Sequence, residues 1–349
     1  FYILVGYVKP NRRSNEAAVK YFLLGAFSLG LLLYGMSLLY GLSGTTNLRE
    51  LTATFVAGES DGLLLIAIIL VIAGIGFKIA AVPFHMWAPD VYEGAPTPVT
   101  AFLSVGSKAA AFAMLLRIFF EGLPGLVEEW RPIFYALAII TMTLGNIAAI
   151  TQSNIKRMLA YSSIAHAGYI LIGVVAGTPR GFTAIFVYLM VYVFMQLGAF
   201  AVVTMLRREN VAGDELKDLS GLYSRYPVAA FAMLFFMLSL GGIPPTAGFM
   251  GKFWLFSAAI ESGYIWLAVV AVGNSAISLY YYIRVIVYMW IKEEIAGPPI
   301  RVSPAMVAAL VITLVGTIVF GLYPRPLFEL AAASTQVLRE PVIVGALFY

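Results

Sequence analysis

The sequence predicts a polytopic α-helical membrane bundle, and three observations lead there. Of its 349 residues, 61% are hydrophobic and 11% charged, where a soluble domain has about 45–50% and about 25%. Apolar runs long enough to cross the hydrocarbon as helices, about 20 residues each, recur along the whole chain, and mean hydropathy is +0.90. The short alternation of outward apolar and inward polar residues that marks a membrane β-barrel is absent.

Apolar spans are predicted at 1–8 (partial), 17–43, 62–83, 99–120, 132–151, 158–177, 181–206, 228–257, 264–291 and 303–323. A last stretch, 327–348, is interrupted by Glu329, Arg339 and Glu340 and is expected to lie along the membrane surface. Short loops make neighbouring helices antiparallel, and no separate soluble domain is expected. The chain opens inside an apolar run, Phe1 to Tyr7, without a Met. Upstream helices are therefore expected.

Charge gives the orientation. Lys9, Arg12, Arg13, Lys20, Lys156, Arg157, Arg207, Arg208, Lys217, Arg225, Lys292 and Arg301 collect on one side of the predicted spans. Arg49, Arg117, Arg131, Arg180, Arg325 and Arg339 collect on the other. By the positive-inside rule the first side, with its loops at 9–16, 152–157 and 207–227, is cytoplasmic. The net charge of +4 is that signal rather than a nucleic-acid surface. Without cysteine the chain has no disulfides and no thiolate-held cluster or zinc. Two histidines, His85 and His166, are too few for a typical haem or metal centre.

The four remaining basic residues, Lys78, Lys108, Lys252 and Arg284, fall within or at the edge of apolar spans. A charge at the bilayer centre costs about 2.5–3.5 kcal/mol on insertion scales and more than about 10 in simulations. Burial disfavours an ammonium, and a lysine can respond by releasing its proton where an arginine cannot. Lysine therefore suits a site that must switch charge. The competing reading is that each lysine snorkels to the interface. It is stronger for Lys78 and Lys252, which sit near prolines, than for Lys108, which is flanked by apolar and small residues on both sides.

Pro83 follows Lys78, and Pro244-Pro245 precede Lys252. Interior prolines break helices. In membranes such breaks are tolerated where they are buried in protein or line a wet cavity, and a pair of them points to a transporter's site. Lys78 to Lys108 and Lys252 to Arg284 are similar intervals, a weak repeat in which the prolines fall on opposite sides of their lysines. Between the halves, Tyr161, Ser162, Ser163, His166 and Tyr169 lie in one predicted helix, with Ser163, His166 and Tyr169 on a shared face. The stretch from Asn274 to Arg284 adds serines and tyrosines. His166 reads either as a satisfied packing residue or as a proton relay working with water. Asp90 and Glu93 are expected in a Pro-rich turn, as loop and cap residues.

Three long motifs carry a resemblance: "FKIAAVPFHMWAPDVYEGAPTPVTAFLSVGSKAA", "NIKRMLAYSSIAHAGYILIG" and "LSLGGIPPTAGFMGKFWLF". In order, and over essentially the whole chain, they resemble the N-type membrane subunits of proton-pumping NADH:quinone oxidoreductase, respiratory complex I. That family is similar in turn to Mrp-type cation/proton antiporter subunits and to chloroplast and cyanobacterial counterparts. The resemblance implies an antiporter-like all-α transmembrane domain with two inverted five-helix repeats. Residues 1–120 would be the rest of the first, 132–291 the second, and 303–349 a C-terminal helix and tail. It implies proton translocation by Lys78, Lys108, Lys252 and His166. His85, Pro83, Pro244, Pro245, Lys156, Glu16, Arg284, Tyr161 and Ser163 would support them. A glutamate paired with Lys78 is expected upstream of Phe1.

The resemblance further implies that this chain holds no cofactor. Flavin mononucleotide (FMN), iron–sulfur clusters and quinone would sit on partner subunits, and the electron donor would be NADH or ferredoxin. The expected partners are a neighbouring antiporter-like subunit, small membrane subunits and lipids, with protons as the transported species and no nucleic acid. The expected location is a bacterial inner membrane, or a thylakoid or organellar one. Two alternatives stay open: a Mrp-type antiporter subunit, and a spacer that holds a membrane arm together without pumping.

Overall fold

The computed structural model describes residues 1–55, 61–208, 213–293 and 302–335, with side chains at all of these but 207 and 208. The principal helices are α1 (Arg12–Ser43), α2 (Gly62–Ile79), α3 (Trp87–Gly94), α4 (Thr97–Gly122, with two π-helical segments), α5 (Val127–Ile150), α6 (Ile155–Ala176), α7 (Pro179–Arg208), α8 (Pro227–Gly241), α9 (Ala247–Glu261), α10 (Ile265–Trp290), α11 (Pro304–Leu322) and α12 (Arg325–Ser334). Eight of these, α1, α2, α4, α5, α6, α7, α10 and α11, are long and apolar enough to cross a membrane. The described residues form no strand, only an isolated bridge between Asn154 and Glu215. The chain is an integral membrane protein.

Local chemistry sets the helix ends. The Asn11 side chain accepts from the backbone N–H groups of Arg13 and Ser14, and Asn154 from that of Arg157, meeting donors that a helix start leaves free. Ser303 does the same for Met306 ahead of Pro304. Gly44 and Gly177 close α1 and α6 in the left-handed conformation.

The bundle is organised around α6, in which only Arg157 and Tyr161 are partly exposed. It meets α5 backbone to backbone. A Cβ on Gly145 would come within 2.7 Å of the Ala165 nitrogen, and one on Gly168 within 2.5 Å of the Met142 nitrogen. Small residues of this kind let membrane helices approach closely. At the rim, α1 and α11 keep large apolar side chains such as Phe27 and Ile312 exposed.

The two predicted breaks are present, and they split spans read as continuous. The span at 62–83 ends at Ile79, and that at 228–257 is two helices, α8 and α9. In both breaks a left-handed residue ends the first helix, Ala80 (φ 59°) or Gly242 (φ 83°), and a cis bond follows, Val82–Pro83 or Pro244–Pro245. Backbone groups freed at the first break are met by neighbours. The Ala81 N–H reaches the Gly76 carbonyl at 2.8 Å, the Val82 N–H donates to Thr141 Oγ1 at 3.0 Å, and Trp87 Nε1 donates to the Phe77 carbonyl at 2.8 Å. At the second, the Gly248 N–H donates to Ser239 Oγ at 3.0 Å.

Other expectations need correction. Asp90 and Glu93 lie in helix α3 rather than in a turn. Asp90 takes hydrogen bonds from Lys20 (2.8 Å) and Arg157 (2.7 Å), and Glu93 pairs with Arg157 (3.2 Å). Proline at 89 does not prevent this, because it stands in the first turn, where its missing N–H is not needed. The loop expected at 9–16 gives way to α1 from Arg12, and Ser14 is buried with its hydroxyl on the Val5 carbonyl. Residues 1–8 contain only the turn Tyr2–Val5. Of the stretch 327–348, α12 accounts for the first part. Arg301, Arg339 and Glu340, and the side chains of Arg207 and Arg208, lie outside the described residues.

Two predictions follow from this packing. Burial works to raise the Asp90 carboxyl, but the Lys20 and Arg157 hydrogen bonds and charges outweigh it and hold its pKa below the ordinary 3.8. A carboxylate depressed in the folded state stabilises fully above its unfolded value, about pH 4, and loses that contribution only as pH falls further. Asp90→Asn is therefore expected to lower the melting temperature of the solubilised protein equally at pH 5 and pH 8. A loss confined to one of those values would contradict the ion-pair assignment. Separately, a Cβ on Gly242 would be strained by its positive φ and would meet Lys252 Cδ at 2.8 Å. Gly242→Ala is expected to cost about 1–2 kcal/mol, read as a lowered thermal midpoint.

Candidate functional site: a buried lysine–histidine–lysine row

Lys108 stands on α4 directly after the π-helical segment Leu103–Ser107. Its ammonium is buried and donates to the carbonyl (2.5 Å) and hydroxyl (2.6 Å) of Ser163 on α6. Ser163 Oγ is also 3.2 Å from the Tyr92 hydroxyl. A π-helical turn inside a membrane helix is uncommon and recurs at functional positions.

Lys252, in the second turn of α9, is equally buried and reaches back across the break. It donates to the carbonyls of Leu240 (3.1 Å) and Gly241 (2.9 Å), the free C-terminal end of α8, and to Ser275 Oγ of α10 (2.9 Å). The negative end of a helix dipole favours a cation there. Lys252 also lines a groove of about 490 Å³ with Phe253, Phe256 and Ser275.

His166, on the buried α6, lies between the two lysines. Its Nδ1 is 2.6 Å from the Tyr188 hydroxyl and its Nε2 3.0 Å from the Tyr282 hydroxyl, which meets Ser162 Oγ at 2.5 Å. One tyrosine ring separates it from each ammonium. The Tyr192 ring centre is 5.6 Å from Lys108 Nζ and 5.1 Å from the imidazole. The Tyr169 ring centre is 4.9 Å from Lys252 Nζ and 5.8 Å from the imidazole. The faces of these rings favour a nearby cation. A second polar cluster adjoins the row. Asn146 Nδ2 donates to the Tyr169 hydroxyl (3.0 Å) and to Asn274 Oδ1 (3.3 Å), and its Oδ1 accepts from Tyr281 (2.8 Å). The arrangement brings three groups able to bind a proton into one buried row, with a tyrosine ring between His166 and each lysine.

The other expected residues fall elsewhere. Lys78, in the last turn of α2 and partly buried, donates to the Tyr2 hydroxyl at 3.4 Å. No chain of hydrogen bonds joins it to Lys108 among the described residues. His85 and Pro83 lie in the first break, Pro244 and Pro245 in the second. Lys156 is fully buried but holds the Glu93 (2.6 Å) and Ala95 (2.8 Å) carbonyls at the end of α3. Arg284 donates to the carbonyls of Ile150 (2.8 Å) and Gln152 at the end of α5. Glu16 is exposed and pairs with Lys20. Tyr161 contributes no side-chain hydrogen bond among the described residues. Sequence reasoning missed Tyr188, Tyr192, Tyr92 and Asn146. The tyrosines at 188 and 192, four apart in an apolar run, were the available signal. The described residues contain no cluster of His, Cys, Asp or Glu able to hold a metal ion.

Known proteins share this arrangement of helices. Residues 1–278 match the family described as NADH:quinone oxidoreductase/Mrp antiporter, TM. A curated relative, NADH-quinone oxidoreductase subunit N 2 of Solibacter usitatus, is 51% identical over 336 residues, 96% of this chain and 68% of the relative. A chain of respiratory complex I from Thermus thermophilus, solved with bound aureothin, superposes with a TM-score of 0.81 at 38% identity, covering 95% of this chain and 72% of its own. A chain of the Mrp complex from Dietzia sp. DQ12-45-1b superposes at 0.86 with 25% identity, covering 95% and 69%. Identity at half of all positions over nearly the full length is not a chance likeness, and the chain belongs to the NADH:quinone oxidoreductase/Mrp antiporter family of membrane proteins.

Proposed function

We propose that the chain is the antiporter-like, proton-translocating N-type subunit of a proton-pumping NADH:quinone oxidoreductase, with ferredoxin an alternative donor. The row Lys108–Tyr192–His166–Tyr169–Lys252 carries the reading: three groups able to bind a proton, buried in a membrane bundle and bridged by tyrosines. Lys108 and His166 relay the proton. Lys252 exchanges it with the far side through its groove. Lys78 is modulated by a carboxylate expected on a helix upstream of Phe1.

Moving one charge across 100 mV takes about 2.3 kcal/mol, and a tenfold change in proton affinity is worth about 1.4 kcal/mol. A change of about two powers of ten in a lysine's affinity is thus the right size to gate the step. Without cysteine, this chain offers no thiolate to a cluster. The redox work is assigned to partners that bind FMN, iron–sulfur clusters and quinone. A neighbouring antiporter-like subunit, small membrane subunits and lipid would cover exposed apolar faces such as that of α1, in a bacterial inner membrane. The likeness to the Mrp chain favours a second reading, a cation/proton antiporter subunit. Sodium efflux restored to an antiporter-deficient host by this chain and its neighbours would support it.

The main test uses membrane vesicles containing the assembled complex, with assembly checked on native gels. Lys108→Ala and Lys252→Ala are expected to lower proton pumping by at least about tenfold, a barrier of about 1.4 kcal/mol. Lys252→Arg keeps the charge but not the exchangeable proton, so it should fail as well. Wild-type pumping by an assembled Arg variant would show that Lys252 does not exchange protons. Sidedness is tested with a cysteine at Gly213, which is exposed, rather than at the buried Ser14. It should react with an impermeant probe only from the cytoplasmic side.

A further inference from the structure

Gln196 on α7 is fully buried, and neither its amide nitrogen nor its carbonyl oxygen has a hydrogen-bond partner in the protein. A primary amide brings two donors and an acceptor with two lone pairs. Leaving one buried polar group unmet costs about 1–3 kcal/mol, so an apolar side chain of that size would pack here more favourably. Buried polar groups of this kind are met by internal water, which makes about three hydrogen bonds per molecule.

Its place on the helix gives the glutamine a purpose. The contact between His166 and Tyr188 sets both residues at one depth. Helix α7 then runs toward the end of the bundle where Arg157 meets Asp90. Tyr192, one turn on, faces Lys108. Gln196 follows on the same face, about 12 Å beyond Tyr188 at 1.5 Å per residue. The next turn brings Phe200, fully buried and edge-on to Tyr92 at 6.3 Å. After it comes Thr204, which lines a groove of about 500 Å³, among the described residues, with Asn11 and Thr97. Lys108 has three ammonium protons and makes two hydrogen bonds, both to Ser163. Spaced by four, these residues lead from the His166 level toward the Arg157 end on a path that winds about 160° around α7, because four residues pass a full turn by about 40°.

We infer that Gln196 holds internal water through which Lys108 exchanges protons with the Arg157 end of the bundle, so that this winding path along α7, with water reaching Phe200, is a branch of the relay. The inference rests on the reading of the chain as a proton-translocating subunit. Gln196 is a positioning residue, acting through the water it orients.

The test uses the assembled complex in vesicles, with Gln196→Met, which keeps length and loses the hydrogen bonds, beside Lys108→Ala. Gln196→Met is expected to assemble normally, to lower proton flux about tenfold, to change the pH profile of turnover and to enlarge its solvent isotope effect. Gln196→Asn should restore part of the flux. On the unaltered complex, hydroxyl-radical labelling should oxidise Phe200 several-fold faster than Phe134, which is equally buried but packed among the rings of Phe119 and Trp130. Wild-type flux and an unchanged pH profile in Gln196→Met, with Lys108→Ala inactive, would overturn the inference and leave the functional reading standing. Wild-type flux in Lys108→Ala would overturn the functional reading itself. Should Gln196→Met fail to assemble, labelling decides, and equal oxidation of Phe200 and Phe134 overturns the proposal.

Discussion

Two ammonium groups held inside a bundle of hydrocarbon width need oxygen atoms aimed at them, and most of the bundle's unusual features supply those atoms. Lys252 is met because α8 stops at Gly242 and leaves its last carbonyls free. Lys108 is met because Ser163 on α6 turns both its carbonyl and its hydroxyl toward α4. The left-handed Gly242, the close approach of α5 and α6 through Gly145 and Gly168, and the burial of α6 along its length belong to the same solution.

The ends of the bundle use the same chemistry for a different purpose. Lys156 and Arg284 are also buried or partly buried bases, and both sit on backbone carbonyls at helix ends. What separates them from Lys108 and Lys252 is the neighbourhood. Lys156 sits on the Glu93 and Ala95 carbonyls at the end of α3. Arg284 cannot release its proton. Burial of a base alone therefore does not mark a proton-exchanging site; for Lys108 and Lys252 the tyrosine rings and His166 close by are the added feature.

Much of this was legible in the residues. Composition and run length gave the membrane bundle, because hydrocarbon thickness fixes helix length. Prolines gave the two breaks, because an interior proline cannot donate the ladder bond. The places of Lys108, Lys252 and His166 followed from charge inside apolar runs. Asp90 and Glu93 were misread because proline and glycine nearby suggested a turn, whereas Pro89 sits in a first helical turn that tolerates it. Tyr188 and Tyr192 went unnoticed because tyrosine in an apolar run resembles ordinary packing. Which helix they face depends on the rotation of α7, and an almost uniformly apolar helix does not reveal that rotation in its sequence. The interval Lys252–Arg284 resembles Lys78–Lys108, but Arg284 meets carbonyls at the end of α5 where Lys108 meets Ser163, because interval alone does not specify direction in space.

The partners of the two buried ammonium groups have a consequence for heredity. Of their five acceptor atoms, three are main-chain oxygens, those of Ser163, Leu240 and Gly241, and two are serine hydroxyls. A main-chain oxygen is encoded by no particular codon. Substitution at Leu240 changes its side chain and leaves the acceptor in place, provided the helix still ends there. Loss-of-function alleles of the row should therefore gather at the lysines themselves and at the residues that shape the break. Positions that touch the charges through the main chain alone are free to drift, unlike Ser163 and Ser275, and a search for invariant ligands around these lysines would overlook most of what holds them.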